Sequence, residues 1–498
     1  MKIIFFNPCN NYRVVVMPLV PLLLKKYIGS EFEIILIDDI FRKDWRKDLT
    51  ELLKREEILC AAVSALTGNP ITTGLEFSKM VKELTNWKTP VVWGGVHPTL
   101  LPLQTIANPH IDYVVFGEGE MAFAKLVKSI ANNKTPAGIG NICWKNNGIP
   151  IIEHQNPYID LNTLSFLDYD YFGIEKYITN LLHGPRSFEL ITSRGCPFEC
   201  AYCYNVAVNK RTYRSKSSEV VVAELEEIIN KYQITDLHFR EDEFFIRKER
   251  VLEIMEGIVL KNLNFSWSAD ITIKLFNNYS KTEKEFLHLL KRSGCKKLIF
   301  GVESGDEFTL KKIKKHLKPS DVIRTSEILR DVGLKGFYHF MVGFPFEKKE
   351  NIINTFNFMS DCLETNPDIT FYGPSIYTPY PGAELYKQAI ESGFKEPKSL
   401  QDWAKHDWER VKAYNSHDPF IRNLITFAPI FGTLYNKDRN SVLFRLFLEL
   451  NLSFLKKFSI FWYLEGKILI FAQKIFRYLK RVTYSLTKVS FHNLKKHL

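Results

Sequence analysis

Cysteine is scarce in this chain, with eight in 498 residues, too few for the disulfide framework of a secreted protein. A signal peptide is lacking as well. The N-terminal Met1-Lys-Ile-Ile-Phe-Phe-Asn-Pro8 has an apolar run too short for one. The expectation is a reducing cytoplasm, where clustered cysteines bind metal or do chemistry more often than they pair. Internal repeats and low-complexity tracts are absent. A spanning helix is excluded even where apolar residues crowd, from Ser441 onward, because no 18-residue stretch there is free of charge. Wholesale disorder is excluded by a hydrophobic content of 45%, enough for sizeable cores. The length suits two or three domains.

Excess charge is missing from most of the chain. The formal net charge is +11, yet Lys437 to Leu498 alone holds thirteen Lys/Arg against three Asp/Glu. A basic partner-seeking surface therefore belongs to the C-terminal end.

What is present is a repeated alternation of strand and helix patterns. In residues 1–145 apolar runs fall at Lys2–Asn7, Phe32–Asp38, Ile58–Ser64, Pro90–Gly94 and Ile111–Gly117, with helical patterns such as Thr72–Leu84 and Glu120–Ile130 between them. The fold class is thus α/β, and this part predicts a doubly wound parallel sheet. Such a sheet binds ligands at the carboxyl ends of its strands. Those ends carry Asn7-Pro8, Asp38-Asp39, Ser64 to Thr67, Gly94-Gly95 and Gly117-Glu118-Gly119. The glycines either admit a flat ligand to the backbone or serve only as turns.

Residues 146–185, with Pro150, Pro157 and an acidic-aromatic stretch, predict a connector. From 186 to 400 strands are expected at Phe188–Ser193, Ile234–Phe239, Leu263–Ala269, Lys296–Val302, Lys335–Val342 and Ile369–Ile376. Helices are expected between them at Ser218–Tyr232, Lys281–Ser293 and Ser320–Val332. Six such units predict a whole or partial (β/α) barrel with its chemistry at the C-terminal strand ends. Residues 401–498 predict a C-terminal helical region with a basic tail.

Just past the first barrel strand stands Arg194-Gly-Cys196-Pro-Phe-Glu-Cys200-Ala-Tyr-Cys203. Three thiolates on one loop can converge on one metal centre, and thiolates are the ligands of iron–sulfur clusters. Three cysteines would leave one iron of a [4Fe–4S] cube open to chelate a methionine moiety. Zinc and chance spacing are the competing readings. A structural zinc site normally needs a fourth ligand, and the next cysteine is Cys295.

The Cys-x-x-x-Cys-x-aromatic-Cys pattern, with Tyr202 as the aromatic, resembles the radical S-adenosylmethionine (SAM) superfamily. Phe239-Arg-Glu241-Asp-Glu-Phe244 resembles an acidic motif of its cobalamin-binding subgroup, with Glu241 where Asp is usual. Gly301-Val-Glu303-Ser-Gly305, Met341 to Glu347 and Tyr377 to Gly382 resemble later motifs. Gly94-Gly-Val-His97-Pro98 and Asp112 to Glu120 are similar to the subgroup's N-terminal domain. The resemblance spans most of residues 1–400. It implies a [4Fe–4S] cluster on Cys196, Cys200 and Cys203, and SAM contacts at Tyr202, Glu241 and Glu303. It also implies cobalamin beside Ser64, Thr67, Gly94, Gly95, Gly117 and Glu118. Two departures stand out. Pro21 lies near a usual glycine, and Asp-x-His-x-x-Gly, which supplies histidine to cobalt in some cobalamin proteins, is absent.

The function expected from the resemblance is cobalamin-dependent methyl transfer to an unactivated carbon of a lipid or other secondary metabolite, with an external electron donor. A non-methylating radical cyclase, oxidase or rearrangement enzyme is the rival on the same fold. A non-catalytic cobalamin- or cluster-binding sensor at the membrane is the rival of another class. Cys9, Cys60, Cys143, Cys295 and Cys362 lie in or beside apolar stretches and read as packing residues. His238 and His339 alternate within barrel strands and read as core histidines or as substrate-facing ones. In the tail, Phe461, Leu464, Ile468, Phe471 and Ile475 give one apolar face ringed by Lys and Arg. That pattern suits a helix on a membrane surface through 441–498, peripheral on the cytoplasmic face. A helical cap on the barrel is the second reading, and nucleic-acid binding ranks below both.

Overall fold

A computed structural model of the chain describes residues 1–9, 15–41, 44–179, 184–282 and 285–406. The tail reading at 441–498 lies outside the described residues. Among the described residues no helix is long and apolar enough to cross a membrane.

The first unit is a seven-stranded sheet. Strands β1 (Lys2–Asn7), β2 (Glu33–Asp38), β3 (Ile58–Ser64), β4 (Val91–Gly94) and β5 (Tyr113–Val115) are parallel, while β6 (Ile142–Asn146) and β7 (Ile149–Ile152) add an antiparallel hairpin, giving the order β2-β1-β3-β4-β5-β6-β7. The near-continuous apolar runs are explained by helices on both faces. On one face Ile3 and Phe5 pack with the helices Leu19–Ile28 and Glu120–Ala131. On the other, Phe6 stacks on Phe77 of the helix Asn69–Leu84 at 4.6 Å between ring centroids. Trp93 is fully buried there and donates its indole N–H to Ser78 Oγ at 2.9 Å. Gly74 admits its ring, since a Cβ at that position would lie 3.0 Å from it.

The hairpin corrects the boundary expected at 145, since the first sheet runs on to Ile152. Asn147 (φ +49°) and Gly148 (φ +82°) both take left-handed backbone, as the tight two-residue hairpin turn requires. Pro150 is tolerated because β7 is an edge strand. The connector then follows in three short 3-10 turns, Leu161–Leu164, Tyr169–Phe172 and Ile174–Tyr177. It is tied back to the first unit by Tyr177, whose hydroxyl donates to Asp38 Oδ2 at 2.8 Å.

The second unit begins with β8 (Ser187–Leu190) and a short antiparallel ribbon, β9 (Ser193–Arg194) with β10 (Arg214–Ser215). Strands β11 (Asp236–Phe239), β12 (Ser266–Asp270), β13 (Cys295–Glu303), β14 (Lys335–Val342) and β15 (Thr370–Ile376) complete a parallel sheet of order β15-β14-β13-β12-β11-β8. Its two end strands do not pair with each other, so the barrel is partial. The helices Ser218–Tyr232 and Pro319–Val332 stand where the sequence places them. The helix expected over 281–293 is instead two: Ile273–Thr282, with Ile273, Phe276 and Tyr279 buried along one face, and Phe286–Arg292. After the barrel the short helix Leu400–Trp403 returns to the first unit, where Trp403 joins the core of Trp45, Phe77 and Trp93.

Candidate active site between the two sheets

The cysteine loop leaves the barrel through Gly195, which holds φ +84°. A Cβ there would lie 2.0 Å from the Thr212 carbonyl oxygen, so only glycine fits. The Gly195 N–H donates to Asp242 Oδ2 at 3.0 Å. Further along, the Ala201 N–H donates to the Ile313 carbonyl and the Leu385 N–H to the Ala201 carbonyl, both at 2.9 Å. These bonds fix the loop that carries Cys196, Cys200 and Cys203, all three unpaired and half-buried. Cys60, Cys143, Cys295 and Cys362 are buried, in keeping with packing roles. Burial pushes the thiols of Cys196 and Cys203 up to about 12 and about 11. Among the described residues no three His, Cys, Asp or Glu side chains close on a single ion. A cubane spreads its thiolates over separate irons, so free thiols set apart along one pinned loop fit it.

Beside the loop, Tyr202 donates its hydroxyl to Glu303 Oε1 at 2.8 Å, and Lys315 Nζ reaches the same oxygen at 3.0 Å. Burial, with Glu303 alongside, pushes the Tyr202 phenol well up. Burial works against the Lys315 ammonium, but Glu303 holds it above its usual value. Glu303 has φ +68° at a register shift of β13 against β14. A non-glycine residue held there stores strain of the kind found at functional sites. A cavity of about 280 Å³ opens next to Tyr202 and Cys203, walled by Met341, Tyr372, Ser375 and Tyr377 among others.

A larger cavity of about 540 Å³ lies between the carboxyl ends of the first sheet and the start of the barrel. Ser64, Gly94, Gly95, Gly117 and Glu118 line it from the first sheet, and Ser193, Arg194, Glu241 and Asp242 from the second. Phe5, Leu23 and Val92 give it an apolar wall. Gly95 holds φ +100°, and a Cβ there would meet the Ala65 backbone at 2.8 Å. The glycines leave this part of the lining without side chains, which suits the flat face of a corrin. Among the described residues the lining contains no His, Cys, Met or Lys.

Arg194, at the head of the cysteine loop, donates to Glu118 Oε1 at 2.9 Å and Glu120 Oε1 at 2.5 Å. Arg214 makes a second ion pair with Glu118. Burial raises the Glu118 carboxyl, but the two arginines outweigh it and hold the group below its usual range. The ion pairs clamp the cavity wall of one sheet to the cysteine loop of the other.

Not every expected site residue sits as the resemblance implies. Thr67 does not line the cavity; its hydroxyl bonds His97 Nδ1 at 2.9 Å, and His97 is buried against Trp403. Glu241 borders the cavity, but its oxygens accept from the Thr192 N–H and hydroxyl and the Ser193 hydroxyl. The carboxylate bonded to the cysteine loop is that of Asp242. The sequence alone points to no role for Arg194, Arg214, Asp242 or Lys315. Lys315 ends a run with Lys311, Lys312 and Lys314, which reads as a solvated charge cluster. Arg194 and Glu118 carry opposite charge and both flank glycine motifs, but 76 residues separate them, so nothing local joins them.

Residues 190–359 match the radical SAM superfamily and residues 16–127 the B12 binding domain. An uncharacterized methyltransferase of Pyrococcus horikoshii is 29% identical over 74% of this chain and 77% of its own length. The anaerobic magnesium-protoporphyrin IX monomethyl ester cyclase of Rubrivivax gelatinosus is 24% identical over 70% of this chain, which spans 63% of that protein. The methyltransferase TsrM of Kitasatospora setae, solved with cobalamin and a [4Fe–4S] cluster bound, superposes with a TM-score of 0.62 at 18% identity, over 80% of this chain and 76% of its own. That likeness concerns the fold.

Proposed function

Because the chain belongs to the cobalamin-binding subgroup of the radical SAM superfamily, we propose that it transfers a methyl group from SAM, by way of cobalamin, to an unactivated carbon of a small-molecule substrate. The observation that carries the reading is the 540 Å³ cavity shared by the B12-binding strand ends and the residues next to the cysteine loop. It would bring a methyl carrier and a radical source to one place, and such positioning is a protein's chief contribution to cofactor chemistry.

When bound, the cluster supplies an electron for cleavage of SAM, and cobalamin supplies the methyl group. The chain does the rest. Cys196, Cys200 and Cys203 would hold the cluster, and Asp242 and Gly195 set the path of their loop. Glu303, braced by Lys315 and Tyr202, would accept hydrogen bonds from SAM. Gly94, Gly95 and Gly117 would let a corrin lie on the backbone. Arg194 and Glu118 keep the two halves in register. The electron comes from a donor outside the chain.

Anaerobically reconstituted enzyme should hold about four irons and, with substrate, yield 5′-deoxyadenosine and S-adenosylhomocysteine together. The product should carry carbon from methyl-labelled SAM. Deoxyadenosine without homocysteine product would favour the cyclase reading, and no deoxyadenosine at all the sensor. Replacing Cys196, Cys200 and Cys203 together by Ala should abolish SAM cleavage, and Cys295→Ala should not. On its sequence alone, the basic segment 441–498 supports docking to an anionic membrane, each nearby cation contributing about 1 kcal/mol. Sedimentation with anionic vesicles, reversed by salt, tests that reading.

A further inference from the structure

Burial alternates along β14. On β14, Gly336, Tyr338, Phe340 and Val342 are buried, and Phe337, His339 and Met341 are half-buried. The buried set packs with the helices, so the other set faces the concave side. His238, Ser268, Asp270 and Lys297 lie on that side by register, with His238 opposite Ser268 and Ser268 opposite Lys297.

Most cations near this face are spoken for: Arg240 pairs with Glu189 at 2.7 Å and Lys315 with Glu303 at 3.0 Å. Lys297 differs. Among the described residues it makes no ion pair, and its ammonium rests 5.0 Å from the centre of the Phe337 ring. Burial pulls its pKa down. Asp270 also stays free of a close cation: its nearest basic partner is His238 Nε2 at 3.6 Å, and burial pushes its carboxyl up to about 7. Asp270 therefore offers a proton near neutrality more readily than an ordinary carboxylate.

Aromatic rings lead from Lys297 to the cysteine loop. Phe337 contacts His339 at 5.2 Å between centroids, and His339 contacts Tyr372 at 5.2 Å. Tyr372 and Met341 also wall the 280 Å³ cavity that holds Cys203. The path from Phe337 to Met341 is four strand residues, about 13 Å at the usual rise per residue. A half-buried ammonium that makes no close ion pair, with the Asp236 and Asp270 carboxylates acting on it from farther off, and an apolar run from it toward the radical centre match one kind of molecule.

We infer that the concave face of the barrel binds an anionic amphiphile, with its carboxylate or phosphate on Lys297 and its apolar body along Phe337, His339 and Tyr372, so that a carbon about 13 Å from the anion reaches the cavity beside Cys203. The inference rests on the reading of the cysteine loop as the radical centre and names the substrate class for it. His238 and Asp270 border the anion site.

The test uses the full reconstituted chain and four ten-carbon probes below their micellar concentrations: decyl phosphate, decanoate, decanol and decylamine. Anaerobic calorimetry should show at least one anionic probe binding about tenfold or more tightly than decanol and decylamine. The tighter of the two anions identifies the headgroup. Lys297→Met should erase that preference, with its melting temperature confirming a folded chain, whereas Lys335→Met, at the exposed start of the next strand, should keep it. Equal binding of decanol or decylamine, no binding of either anion, or a preference that survives Lys297→Met would overturn the inference. Iron content and reductive SAM cleavage of the wild-type enzyme are measured alongside. If these hold while the anion preference is missing, only the substrate inference falls; if they fail, the radical-centre reading falls with it.

Discussion

Arg194→Met removes the cation that joins the two sheets and keeps most of the side-chain stem. Arg194 is 23% exposed, and its partners Glu118 and Glu120 are 13% and 6% exposed. Glu118 keeps Arg214 after the change. Glu120 does not fare as well, because its second oxygen is already buried with no hydrogen-bond partner. Breaking a fully buried pair on one side costs about 3–5 kcal/mol, and an exposed pair contributes under about 1 kcal/mol. With the arginine partly solvated, the loss should fall at about 2–4 kcal/mol. Equilibrium urea unfolding of the apo chain under argon reads it. Adding Glu120→Gln takes away the stranded carboxylate, so the double variant should regain about 1–2 kcal/mol over Arg194→Met. The bound form supplies a second readout: cobalamin retained on gel filtration should drop for Arg194→Met, because Arg194 is part of the cavity wall. A loss below about 1 kcal/mol, or strictly additive effects in the double variant, would refute the clamp.

Three other outcomes are expected. Gly95→Ala forces a Cβ to within 2.8 Å of the Ala65 carbonyl at φ +100°, so cobalamin absorbance after reconstitution should fall sharply while iron content holds. Burial raises the Glu347 carboxyl to about 8, partly offset by the Gly343 and Phe344 N–H groups that its Oε2 accepts. Since its folded pKa lies above its unfolded one, its contribution is full below the unfolded value and is lost as pH climbs toward 8. Glu347→Gln should therefore flatten the stability loss between about pH 5 and 8. Trp403→Ala empties a fully buried site in the first-sheet core and should cost about 3–5 kcal/mol, seen as a lower melting temperature.

The sequence made the parallel strands legible because burial on both faces writes them as long apolar runs. Lys2–Asn7, Ile58–Ser64 and Lys335–Val342 recur residue for residue in the structure. Pro150 masks the hairpin at 142–152 in the sequence, although Asn147-Gly148 carries the standard signal for such a turn. The helix Ile273–Thr282 was hidden because only Ile273, Phe276 and Tyr279 face the core, too few to outvote the neighbouring lysines.

The site divides along the same line. The cysteines, Tyr202 and Glu303 stand out in the sequence because they fall in local motifs. What joins those motifs was not legible, because it depends on pairs far apart in sequence: Arg194 with Glu118, Glu303 with Lys315, Tyr372 with His339. Arg194, Lys315 and Tyr372, taken alone, look like ordinary strand-end or surface residues. His238 and His339 show how far such ambiguity goes. Alternation put them on strands but could not say which face was inside, because that depends on where the helices pack. Once Leu237, Phe239, Tyr338 and Phe340 are seen to take the helix side, both histidines must face the concave side, next to Lys297 and Tyr372. On the proposed reading, local motifs would carry the cofactor chemistry, and the surface that would select the substrate is assembled only by folding. A substitution at Lys297 should accordingly alter which molecule is bound, and one at Cys200 should alter whether SAM is cleaved at all.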